Sequence, residues 1–277
     1  MQVSVEALGP KGGRKLLESG AQEIFVPCIG QIHEAVARAA KIGDAATVHT
    51  PLNRITDADE TLRLLGDNGI RNVLMVSGNP GHGERRYGFD DLIPRFREAG
   101  IHVSVGAYPE DHFVRTGARH RARQIGILQD KQALGADRIV TQACFRTSNA
   151  LQWLDELRAA DVALPVHLGV SARIPNKTLK MMMTQALKEA RHAPIAWLNN
   201  KPNLDLLVRM VWSRFFASAG FVEAIQAGRS GHGPEGFHIF SYGADVLPII
   251  EAARSFGVAP AAEPEVPVAV EPEGEAA

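Results

Sequence analysis

Cysteine is nearly absent from this chain: Cys28 and Cys144 are its only two in 277 residues. They lie far apart, in no Cys-x-x-Cys or Cys/His ligand spacing, so neither a disulfide framework nor a metal site is expected. Charge of one sign is also missing. With 30 basic and 31 acidic residues and a formal net charge of -1, the chain lacks the electrostatic footprint of a nucleic-acid or membrane-surface partner. Long apolar runs are missing too, and the opening MQVSVEALGP has neither a basic nor an extended apolar segment of the kind that directs export. These absences together predict a cytoplasmic protein.

What is present is an ordinary globular composition, 45% hydrophobic and 22% charged, which is enough to fill one core. The length suits a single α/β barrel, a fold that commonly takes about 250 residues. Short β-branched or apolar runs recur at Val3–Ala7, Glu23–Cys28, Ala46–Pro51, Asn72–Ser77, His102–Tyr108, Arg138–Phe145, Pro165–Val170 and Phe237–Tyr242. Most are followed by a stretch of helical period, such as Asp57–Leu65 or Asp90–Ala99. Links such as LLESGAQ, AAKIGDA and REAGIHV place Gly where a helix ends and the next strand begins. Eight strand-helix units favour a closed (β/α)8 TIM barrel over an open sheet.

The long interval before the eighth strand contains Met181–Met183 and a helical segment from Leu204 to Ala219, both read as core packing. After Val258 the chain becomes Pro-, Ala- and Glu-rich. The organisation expected is therefore one barrel domain over residues 1–258, followed by a disordered acidic tail over 259–277.

In such a barrel, catalytic groups come from the C-terminal ends of the strands. Glu6 stands in an otherwise apolar strand, where partial removal from water raises a carboxyl pKa and suits it to general acid work. The alternative is a carboxylate paired structurally with Lys or Arg. His49 can donate to a cofactor, or it can be a satisfied buried histidine that orders the mouth. Gln142 offers an amide suited to a heterocycle edge, or one that ties down a loop. Gly78–Gly83 is glycine-rich but has neither Walker A nor GxGxxG spacing. The segment with Arg115, Arg119, Arg121 and Arg123 can bind a pyrophosphate, or Arg115, Arg119 and Arg123, spaced by four, can form a solvated helix face. Glu110 and Asp111 lie on a loop and are expected to be better solvated than Glu6.

Several of these segments, in order, resemble methylenetetrahydrofolate reductases. VSVEALGP is similar to the family's first strand, AATVHTPL to its Pro-His-Leu-Thr strand, and NGIRNVLMVSGNP to its Arg-Gly-Asp segment. VSVGAYPEDH resembles the AAYPE-x-H motif, KQALGADRIVTQACF the motif ending TQ-x-x-F, and GFHIFSYG the FHFYTLN strand. The resemblance implies interconversion of 5,10-methylenetetrahydrofolate and 5-methyltetrahydrofolate, with FAD carrying hydride from NAD(P)H. It implies Glu6 as general acid and Gln142, with Asn79, at the folate. His49, Asn79, Ala107, Tyr108, His112 and Lys131 match flavin-contacting positions.

The chain departs from the family in three places. Ser77-Gly78-Asn79 replaces Arg-Gly-Asp, Gln124 stands where an acidic residue is usual, and Ser241-Tyr242-Gly243 replaces Leu-Asn-Arg. These changes imply weaker FAD binding and leave open an oxidative direction of flux. They also permit a second reading, a flavin-free tetrahydrofolate-binding methyltransferase or accessory protein on the same barrel. Folate is the expected partner, and the oligomeric state stays open, a homo-oligomer included.

Overall fold

The computed structural model of the chain describes residues 1–78, 85–110, 118–173, 219–229 and 232–256, together with 176 and 180. Eight parallel strands close into a barrel in sequence order: β1 (Gln2–Glu6), β2 (Glu23–Val26), β3 (Ala46–Pro51), β4 (Asn72–Val76), β5 (His102–Ala107), β6 (Arg138–Cys144), β7 (Val166–Ser171) and β8 (Gly236–Phe240). The ring is sealed by β8 pairing with β1, from Gln2 opposite Gly236 to Val5 opposite Ile239. Closure removes the exposed strand edges that an open sheet would present.

All eight expected strands are present, with ends that differ by one or two residues. Cys28, Tyr108 and Tyr242 lie just beyond β2, β5 and β8 and belong to the mouth loops. The helices α1 (Pro10–Glu18), α2 (Ile32–Ala40), α3 (Ala58–Asp67), α4 (Phe89–Glu98), α5 (Ala118–Ala133), α6 (Thr147–Ala159), α7 (Ala219–Gly228) and α8 (Leu247–Ser255) follow the strands. Asp57 precedes α3 as its N-cap, accepting from the Glu60 backbone N–H at 2.9 Å. Gly20 and Gly100, expected at helix ends, take φ of 101° and 73°, which glycine adopts without the Cβ clash other residues meet. Met181–Met183, most of Leu204–Ala219 and the tail from 259 lie outside the described residues.

Strand alternation sorts the core into two environments. Val3, Val5, Ile24, Val26, Val73, Val103 and Val105 point outward, fully buried beneath the helices. The interior is far more polar than the branched-aliphatic filling usual in this fold. Phe25, Leu74 and Val140 form a small apolar layer within the barrel. Toward the strand starts, Glu23 accepts from both Thr47 Oγ1 and Arg138 Nη2, and Arg138 Nε donates to Ser104 Oγ at 2.7 Å. Polar groups of four strands, β2, β3, β5 and β6, thus converge on one buried ion pair. Ser4 Oγ lies 3.0 Å from His238 Nδ1, joining β1 to β8 inside the ring.

Candidate active site

The C-terminal mouth is built first by β1 and β3. Alternation turns Glu6 inward at the end of β1, and in the same way His49 faces inward from β3. The two meet with His49 Nε2 4.0 Å from Glu6 Oε1, too long for a hydrogen bond. Their side chains are only 20% and 16% exposed, so both groups are largely removed from water. Burial raises the Glu6 carboxyl to about 7 and lowers the His49 imidazole to about 4. Both shifts have one cause, the cost of taking a charge out of water. Near neutral pH the imidazole is neutral, so no cation stands there to hold Glu6 ionised.

These shifts bear on both readings of each residue. A structural ion pair would depress the carboxyl, and among the described residues no Lys or Arg pairs with Glu6. His49 Nε2 is buried and makes no hydrogen bond within the described residues. An orphaned polar atom at a barrel mouth is suited to meet a bound molecule.

Aromatic rings fence the pair. Phe25 pairs with Glu6 in register and stands edge-on to His49, with ring centroids 5.8 Å apart. Phe25 also contacts His238 at 4.4 Å, and His238 contacts Phe240 at 4.7 Å. Beneath the mouth, burial is again the main cause that lowers His167 to about 4 and holds His238 well below the usual histidine range. The barrel axis therefore carries three neutral imidazoles, none of which was singled out by sequence apart from His49. The available signal was a polar residue at alternating positions in otherwise apolar strands.

Gln142 reaches the mouth through an irregularity. The β6–β7 register shifts between Val140 and Ala143, inserting an extra residue there, and Gln142 emerges exposed between buried neighbours. A bulge re-aims a side chain in this way and is common beside active sites. It depends on Gly169 of β7, because a Cβ there would press on the Thr141 and Gln142 carbonyl oxygens.

The other candidates are dispersed. Ala107 is buried, packed with the outer core. Tyr108 lies at the rim, 38% exposed. Lys131 sits on α5, its Nζ 4.0 Å from the centroid of the Phe89 ring. Burial, with Arg85 adding to it, lowers Lys131 to about 8. Asn79 and His112 lie outside the described residues, as does Arg115. Arg121 pairs with Glu156 at 3.2 Å, a structural use of that cation.

Glu110 differs from expectation. It is not a solvated loop carboxylate: its Oε1 accepts from the backbone N–H groups of Phe145 and Arg146. Those N–H groups lie at the entry to α6, where free backbone donors attract a carboxylate. Among the described residues no group of His, Cys, Asp and Glu is arranged to hold a metal ion, and no helix is long and apolar enough to cross a membrane.

The chain is 31% identical over 137 residues to a probable methylenetetrahydrofolate reductase (NADH) of Oryza sativa subsp. japonica, covering 43% of this chain and 23% of that protein. It is 30% identical over 107 residues to the 5,10-methylenetetrahydrofolate reductase of Escherichia coli (strain K12), covering 38% of this chain and 35% of that protein. The matched part thus spans about a quarter to a third of these relatives' own length. Among solved structures, a phosphoenolpyruvate phosphomutase from Streptomyces platensis subsp. rosaceus superposes with a TM-score of 0.52 at 13% identity, covering 88% of this chain and 77% of that one. That likeness shows the barrel fold alone. The family model for methylenetetrahydrofolate reductase matches residues 35–187, more than half of the sequence, and the chain belongs to the methylenetetrahydrofolate reductase family.

Proposed function

We propose that this protein is an oxidoreductase interconverting 5,10-methylenetetrahydrofolate and 5-methyltetrahydrofolate at the barrel mouth, with Glu6 as proton donor and Gln142 as the amide that holds the pterin. The observation that carries this reading is the Glu6 carboxyl, poised at about 7 by burial beside a neutral His49. A general acid works best with its pKa near the operating pH. A group half protonated near pH 7 can give a proton to a folate nitrogen in the reductive direction and accept one in the oxidative direction. His49, with its pKa at about 4, does not compete for that proton.

The residues at the mouth suit the ring end of a flavin: His49 presents its unpartnered Nε2, and Tyr108 borders the opening. When bound, FAD would supply the hydride carrier between NAD(P)H and folate. The chain's own contribution is to orient the two rings, exclude water and hold the proton at Glu6.

The test has two parts. A visible absorption spectrum of the purified protein reports flavin, and stopped-flow separates reduction by NAD(P)H from reoxidation by methylenetetrahydrofolate. Glu6→Gln is expected to slow the folate half-reaction by about 10²- to 10⁴-fold, the usual worth of a positioned general acid, and to leave flavin reduction intact. A wild-type rate in the folate half-reaction would make Glu6 a structural carboxylate. A protein that binds tetrahydrofolate but no added FAD would instead be the flavin-free methyltransferase or accessory protein.

A further inference from the structure

Tyr242 occupies a backbone conformation that its side chain disfavours. Its φ is 47°, followed by Gly243 at 78°, in a turn closed by the Ala244 N–H donating to the Ser241 carbonyl at 2.8 Å. Turns with left-handed φ at both central positions are dominated by Gly, Asn and Asp, because a larger side chain crowds the following carbonyl. Among the described residues one other non-glycine shares this trait, Asp161 with φ of 57°. Asp161 has a local explanation. It ends α6, where the Val162 N–H returns to the Leu157 carbonyl at 3.0 Å, and aspartate tolerates the left-handed region. No such explanation serves a tyrosine, and strain of this kind gathers at functional sites, held there by surrounding contacts.

The contacts of this turn lead to Glu6 and to Phe240. Ser241 Oγ donates to the Glu6 carbonyl oxygen at 2.7 Å, which pins the turn onto the end of β1. The Tyr242 ring stacks on Phe240 at 6.3 Å with 23° between planes, extending the fence of rings by one member toward the opening. The Tyr242 hydroxyl is itself pushed up, first by burial and then by the negative charge of Glu6. The phenol is therefore neutral across the working pH range and close enough to sense the carboxyl.

We propose that Tyr242 is a positioning residue for the reaction: its left-handed backbone lays the ring over the water side of Glu6, completing a cage that limits access of water and whose other walls are Phe25, His49 and Phe240. Water reaching Glu6 from the β8 side would restore an ordinary carboxyl and remove the proton reserve. This inference rests on the reading of Glu6 as proton donor. Among the described residues, the titratable groups facing Glu6 are His49 from β3 and Tyr242 from the β8 turn, with His238 a layer below on β8 and the Glu23–Arg138 pair at the strand starts. None of the cations among them pairs with Glu6, so its midpoint reports access of water.

The experiment follows the Glu6 carboxyl by ¹³C NMR across pH in the full chain without ligands, comparing wild type, Tyr242→Phe and Tyr242→Gly. Tyr242→Phe keeps the ring and is expected to titrate near 7, as wild type does. Tyr242→Gly relieves the backbone but opens the cage, and its midpoint is expected to fall toward the ordinary carboxyl value of 4.5. Tyr242→Asn, which accepts the same φ, serves equally if the glycine variant folds poorly. A midpoint that stays near 7 in the Gly or Asn variant overturns the proposal, as does a Phe variant that drops with them. The readout needs no folate or flavin. A midpoint that moves as expected while folate turnover is unaffected would uphold the cage and refute the catalytic role of Glu6.

Discussion

Replacing Glu6 by glutamine should change how the stability of the whole barrel depends on pH. The carboxyl titrates at about 7 in the folded chain against an ordinary value of 4.5. Between those values the folded state holds a proton that the unfolded state has released. Stability from this group is therefore complete below about 4.5 and is lost as pH rises through 7. Over that interval, at about 1.4 kcal/mol per pH unit, the loss amounts to about 3 kcal/mol. That is a large share of the roughly 5–15 kcal/mol by which domains are stable. An amide carries no proton to lose, so this contribution to the slope should be absent from Glu6→Gln. Wild type should weaken by about 3 kcal/mol between pH 5 and pH 9 relative to the variant. Urea denaturation at steps across that range, followed through the fluorescence of buried Trp153, measures the difference directly. The buried histidines titrate in both proteins alike and cancel from it. Two stability curves that run parallel from pH 5 to pH 9 would refute the raised carboxyl and, with it, the chemical poise assigned to the mouth.

The histidines of the barrel axis predict the opposite slope on the acid side. His49 and His167 sit at about 4 instead of 6.5, so their stability is complete above 6.5 and lost as pH falls toward 4, by about 3 kcal/mol each. Denaturation of His167→Gln between pH 7 and 4 should show a shallower decline than wild type. Breaking the Glu23–Arg138 pair by Glu23→Gln should cost about 3–5 kcal/mol by leaving a buried guanidinium uncompensated. Removing both partners with Glu23→Leu and Arg138→Met should cost less, which a double-mutant cycle by calorimetry would report. Gln142→Ala should weaken tetrahydrofolate binding by about 1–3 kcal/mol, the cost of a stranded polar partner. Unchanged affinity in titration calorimetry would remove Gln142 from the folate site.

The eight strands and their order were legible in the sequence because strand and helix periods alternate over short, well-punctuated runs. Gly20, Gly43, Gly69, Gly100 and Gly135 mark the returns, and Asp57 marks the entry to α3. Glu6 was also legible, since a lone acid in VSVEALGP must either pair or lose its charge. Which of these happens was decided only when the barrel closed, bringing His49 to 4.0 Å and, among the described residues, no Lys or Arg to pair with the carboxyl. The buried ion pair joins residues 115 positions apart, and Ser4 meets His238 across 234. Period-two alternation tells which side chains face inward but not which of them meet, because partners across a barrel are set by strand register and closure. The bulge that exposes Gln142 and the left-handed Tyr242 have the same origin. Both are local departures from regular geometry that the sequence permits and only contacts with Gly169, Ser241 and the end of β1 enforce.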